Sequence, residues 1–110
     1  MLDLFKSLFG ASSSASGISA QELHALLKTK EKPVLLDVRQ PDEHKQRNIP
    51  NSLLIPLGDL QRRMKELEKY KNKNIVVYCA SGARSSSACR MLTEAGYSVR
   101  NLNGGMMMWH

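Results

Sequence analysis

The chain has 110 residues, of which 42% are hydrophobic, and a formal net charge of +6; this is close to the commonest domain size and supports one core without disulfides or a structural metal. No apolar run approaches the roughly 18 residues that a membrane span needs, and Asp3 and Lys6 interrupt the first ten positions, which argues against both a transmembrane segment and a cleaved signal peptide. The basic residues are scattered; the densest stretch, 62–73, is interleaved with Glu66 and Glu68 and offers only Tyr70 for stacking, so it reads as a solvated helix face and not as a nucleic-acid surface.

In chain order, Leu2, Phe5, Leu8 and Phe9 share one face of a short helical pattern, and residues 10–17 (GASSSASG) form a small-residue linker. Residues 1–17 are therefore predicted to be a flexible or weakly docked tail, followed by one domain over 18–110. Ser19 with Glu22 makes a capping box for a helix over 20–30 that carries Leu23, Leu26 and Leu27. After Pro33, the apolar run 34–38 is predicted as a strand buried on both faces. Residues 40–46 fit one or two helical turns. A short strand over 52–55 closes at Pro56, and Leu57, Leu60, Met64 and Leu67 mark an amphipathic helix. Residues 75–78 give a third strand, 85–95 a second amphipathic helix ending at Gly96, and 97–102 a fourth strand. Gly104 and Gly105 then introduce a last helical turn ending at Trp109. Strands alternating with helices imply an α/β fold: a mainly parallel sheet of four to five strands with helices on both faces.

The chemistry concentrates at residues 77–85, VYCASGARS. They place Cys79 at the carboxyl end of a buried strand, the edge where open α/β sheets bind ligands. Ala80, Ser81, Gly82 and Ala83 have little bulk, so the loop can curl around the sulfur with its amides inward, and the following helix adds its positive end. Arg84 is expected to bring a full positive charge beside them. Together these effects favour a thiolate, so the Cys79 pKa is expected to lie below the usual value of about 8.5.

The stretch at residues 35–39 (LLDVR) with Glu43 and Ile49-Pro50, then CASGARS at 79–85, then Leu102, Gly104, Gly105 and Trp109 occur in an order that resembles the rhodanese family. The resemblance runs from about Ile18 to Trp109. It implies that Cys79 carries sulfur as a persulfide, taken from a small anionic donor such as thiosulfate and handed to cyanide, a thiol or a sulfur-carrier protein. It also implies that Ala80, Ser81, Gly82, Ala83, Arg84 and Ser85 bind the substrate, that no metal or organic cofactor is needed, and that the domain acts as a monomer. Two rival readings share the fold. A phosphatase or arsenate reductase would have a longer Cys-to-Arg loop than the four residues between Cys79 and Arg84, and a non-catalytic binding module commonly lacks the cysteine.

The other candidates read as supporting residues. Asp37 and Arg39 are expected to brace the loop from the neighbouring strand end. Cys89, inside the helix after the loop, is expected to be a small core residue. His24, His44 and His110 show no paired acid and read as surface residues. Met106, Met107 and Met108 are expected to fill core gaps. Asn48 and Asn51 replace the residues usual in the family's turn and tolerate left-handed geometry. With two cysteines and no zinc-ligand spacing, the thiols point to a reducing compartment, hence to the cytoplasm.

Overall fold

The computed structural model describes residues 17–110, so the tail at 1–16, with its apolar face and small-residue linker, lies outside the described residues. Five parallel strands form one sheet: β1 (Gly17–Ile18), β2 (Val34–Asp37), β3 (Leu53–Leu54), β4 (Asn74–Tyr78) and β5 (Ser98–Leu102), in the order β1-β5-β4-β2-β3. The helices are α1 (Ala20–Leu27), α2 (Pro41–Gln46), α3 (Leu57–Arg63) and α4 (Ala83–Glu94), with 3-10 segments at Met64–Tyr70 and Gly105–Met108. The α/β fold anticipated from the alternation of strands and helices is the one observed.

Period-two geometry divides the central strands between two cores. Leu35, Val76 and Tyr78 face one way, with Ile18, Leu23, Leu26, Leu102 and Trp109. Leu36, Ile75, Val77 and Cys79 face the other, with Leu60, Leu67, Ala88, Cys89 and Leu92. This is why β2 and β4 read as unbroken apolar runs. Their chain connections diverge: β2 continues outward to β3, whereas β4 continues to β5 on the other side. The carboxyl ends of β2 and β4 therefore flank the switch point of the sheet, the edge at which open α/β folds bind ligands.

Several boundaries differ from expectation for local reasons. Gly17, placed at the end of the tail by its composition, is instead paired with Asn101 in β1. Helix α1 has the expected capping box, with Glu22 N–H donating to Ser19 Oγ and Ser19 N–H to Glu22 Oε1. It stops at Leu27 and not at position 30. The Thr29 hydroxyl donates to the Leu26 carbonyl at 2.7 Å and accepts from Glu31 N–H, drawing backbone groups out of the helical ladder. After α3 the winding tightens to 3-10, which suits the Arg63 to Glu66 ion pair three residues apart. Helix α4 begins two residues before the predicted start because Gly82, at φ 110°, turns the chain directly into it. Asn51 takes the left-handed geometry expected of it (φ 69°), whereas Asn48 instead caps with its side chain, donating to the His44 carbonyl.

Candidate active site

Cys79 leaves β4 at the switch point, with its side chain on the α4 face and almost fully buried. The Gly82 amide donates to Sγ at 3.1 Å, the Ser85 amide at 3.3 Å and the Ser85 hydroxyl at 3.3 Å. These donors come from the turn and first turn of α4, so the sulfur sits at the positive end of that helix. Burial pushes the Cys79 thiol up, but the Ser85 hydroxyl and amide and the Gly82 and Ser81 amides together hold it below the ordinary cysteine value. Cys89 lies in the same core with no such donors, and burial together with the Cys79 charge pushes it up to about 12. The two thiols are thus chemically unlike: Cys79 is the one poised to ionise.

The loop and the strand end before it are fastened by three backbone hydrogen bonds from two elements. Val38 N–H donates to the Tyr78 carbonyl, joining the ends of β2 and β4. Met106 N–H donates to the Cys79 carbonyl at 2.9 Å and Met107 N–H to the Ala80 carbonyl at 3.0 Å, so the terminal 3-10 segment grips the loop backbone. Gly105 makes this close approach feasible, because a Cβ there would stand 2.3 Å from the Cys79 carbonyl oxygen and 2.7 Å from the Ala80 carbonyl. Its φ of 56° adds the left-handed penalty. Gly105→Ala is expected to cost about 2 to 3 kcal/mol in urea unfolding and to slow alkylation of Cys79, since backbone has to give way. Unchanged values in both would show the segment free to move off the loop.

Asp37 and Arg39, expected to brace the loop, are both buried and pair with each other. Asp37 Oδ1 accepts from Arg39 N–H and Nε, and Oδ2 from Nη2 at 2.8 Å, while the same Nη2 donates to the Arg47 carbonyl. The Arg39 guanidinium also lies 5.5 Å from the centre of the Tyr78 ring. His44 departs from its expected role: its Nδ1 lies 2.9 Å from Asp37 Oδ2, so it is paired with an acid that chain order alone kept seven residues away. Burial pushes the Asp37 carboxyl up, but hydrogen bonds from Arg39 and His44 outweigh it and hold the group below the usual range.

Arg84 also differs from expectation. Its two terminal nitrogens donate to both carboxylate oxygens of Glu43 at 2.8 and 2.9 Å, so its charge is matched by a carboxylate from α2 and does not stand alone beside the sulfur. This fork holds Glu43 down to about 2. Glu43 is held in place at the start of α2, where its Oε1 accepts from Gln40 N–H. Sequence reading passed over it as a contact residue because its partner lies forty-one positions away. Met106 is buried as expected, but Met107 and Met108 are 70% and 57% exposed: the 3-10 turn points only Met106 inward. His24 stacks on Trp109, with ring centres 3.8 Å apart.

Asn101 was also not anticipated. It projects from β5 with Nδ2 donating to the Gly82 carbonyl at 3.0 Å and Oδ1 accepting from the Ser85 hydroxyl. The available signal was an amide in the middle of a strand, where such residues are depleted.

The model of the rhodanese-like domain matches residues 19–110. A sulfurtransferase of Allochromatium vinosum is 40% identical over 93 residues, covering 84% of this chain and 85% of its own. The thiosulfate sulfurtransferase PspE of Escherichia coli is 34% identical over 70 residues, covering 63% of this chain and 67% of its own. A rhodanese-related protein of Thermoplasma volcanium superposes with a TM-score of 0.78 at 34% identity, covering 86% of this chain and 89% of that structure.

Proposed function

Since the chain belongs to the rhodanese-like domain family, we propose that it is a sulfurtransferase that carries sulfane sulfur as a persulfide on Cys79. The observation that carries this reading is the ring of donors from Gly82 and Ser85 on one buried, ionisable sulfur. The Cys79 thiolate attacks the sulfane sulfur of thiosulfate, a new S–S bond forms, and the old one breaks as sulfite leaves with the electron pair. Cyanide or a thiol then attacks the outer sulfur, and Cys79 departs as thiolate. Splitting the transfer in this way is nucleophilic catalysis. The loop amides stabilise the anion at each stage, where charge is localised and water is excluded. A sulfur-carrier protein is a further acceptor of the same chemistry. A phosphatase reading is less well supported, because only four residues separate Cys79 from Arg84, a loop sized for a single sulfur atom.

Ala80, Ser81, Gly82, Ala83, Arg84 and Ser85 form the substrate-binding loop in this reading. Thiosulfate exchanges with Glu43 on the planar fork of Arg84, and the pair lies near the surface, where such bridges are worth little. With thiosulfate and cyanide, Arg84→Ala is expected to lower kcat/KM by about tenfold to a hundredfold, the worth of one or two charge-assisted hydrogen bonds. Arg84→Lys keeps the charge but loses the fork and should fall between. Thiocyanate formation measures both. An unaltered kcat/KM in Arg84→Ala would remove the residue from donor binding, and no thiocyanate from the unmodified protein would count against the proposed activity.

A further inference from the structure

The Ser85 hydroxyl has one proton and faces two acceptors. Its Oγ lies 3.3 Å from Cys79 Sγ and 2.5 Å from Asn101 Oδ1. Ser85 is completely buried, so bulk water does not settle the competition. The Asn101 amide cannot turn over to relieve it. Its Nδ2 donates to the Gly82 carbonyl, a group that can only accept, and a flipped amide would set two oxygens against each other there. Oδ1 is therefore held toward Ser85.

The consequence depends on the state of the sulfur. While Cys79 is a thiol, the hydroxyl proton lies toward Asn101 and the S–H donates to a lone pair on Oγ. Once Cys79 ionises, the sulfur needs that proton, and giving it leaves Oγ and Oδ1 facing each other as bare acceptors. We propose that Asn101 is a positioning residue that acts on Cys79 through the Ser85 hydroxyl, restraining the donation of its proton to the sulfur anion. A thiolate stabilised less fully by hydrogen bonds is the more basic one, and basicity raises the intrinsic nucleophilicity of a thiolate. The amides of Gly82 and Ser85 favour the anion, while Asn101 limits how far the hydroxyl quenches it.

The proposal rests on the reading of Cys79 as the nucleophile. The other ionisable groups that act on the sulfur are Arg84 with its partner Glu43 and Cys89 on α4, and Arg84 in turn feels Asp37, which Arg39 and His44 hold. An Asn101 substitution replaces none of them. The Gly82 carbonyl also keeps its second donor, the Ser86 amide at 3.0 Å.

The test is the rate of Cys79 alkylation by iodoacetamide against pH, followed by peptide mapping on the full chain. In Asn101→Ala the Cys79 pKa is expected to fall by about 0.5 to 1, because the hydroxyl is then free for the sulfur. In a Ser85→Ala background the same substitution should leave the pKa unmoved, since the hydroxyl that transmits the effect is gone. Asn101→Val, which suits a strand and brings no acceptor, carries the same expectation should the Ala variant fail to fold. A rise in pKa, as a loosened loop would give, overturns the proposal, as does no shift or an equal shift in both backgrounds. The pH midpoint of alkylation reports ionisation and involves no sulfur donor. Failure of this inference is therefore distinguishable from failure of persulfide formation, which is read separately as sulfur gained by the unmodified protein.

Discussion

Replacing Cys79 by serine is expected to abolish sulfur transfer, whereas Cys89→Ser is expected to retain most of it. The contrast follows from surroundings, since both side chains lie in the same apolar core. Cys79 has three donor groups facing its sulfur from the start of α4, the amides of Gly82 and Ser85 and the Ser85 hydroxyl. Cys89, whose thiol is pushed up to about 12, stays protonated at neutral pH and cannot serve as the nucleophile. A serine hydroxyl at position 79 accepts the same hydrogen bonds but cannot form a persulfide. Thiocyanate production by each variant, with folding checked by circular dichroism, decides the matter. Equal loss in both folded variants would instead indicate a dithiol mechanism.

The second large effect is expected at Asp37. Asp37→Ala leaves the Arg39 guanidinium buried without its carboxylate, and breaking a buried pair from one side costs about 3 to 5 kcal/mol. That is a large part of the total stability of a small domain. Asp37→Asn keeps one acceptor oxygen and should lose less. The pH dependence has a definite sign. The folded-state pKa of Asp37 is lowered, so its contribution is fully present above the unfolded value of about 4 and is lost as pH falls through the folded value. Glu43 titrates in the same direction near the surface and adds little. Urea midpoints measured from pH 6 downward should therefore drop steeply for the wild-type protein and more gently for Asp37→Asn. Parallel curves would show that the Asp37 carboxylate is not the group responsible.

What the sequence made legible is what local pattern and chain order determine. The apolar runs of β2 and β4 identify doubly covered parallel strands, because each strand feeds two cores with alternate side chains. The small residues between Cys79 and Arg84 identify a loop whose amides can reach the sulfur, and Gly82 and Ser85 do reach it. The two-residue strand β1 escaped notice because Gly17 closes a run of small residues, and its partner in the sheet, Asn101, lies far along the chain. The three contacts that complete the site escaped for the same reason. Glu43 with Arg84, His44 with Asp37, and Asn101 with Ser85 are each brought together by packing of separate elements. Charge and hydrogen-bonding capacity were visible at each position, but not the partner. Arg84 shows the consequence most plainly: its charge was read correctly, while the carboxylate that matches it came from across the fold.

The central claim is that Cys79 itself carries the transferred sulfur, and intact-mass spectrometry with peptide mapping tests it most directly. The reduced protein incubated with thiosulfate should gain the mass of one sulfur atom on the peptide containing Cys79, and cyanide should remove it. No added mass with any sulfur donor, or mass confined to Cys89, would contradict the account.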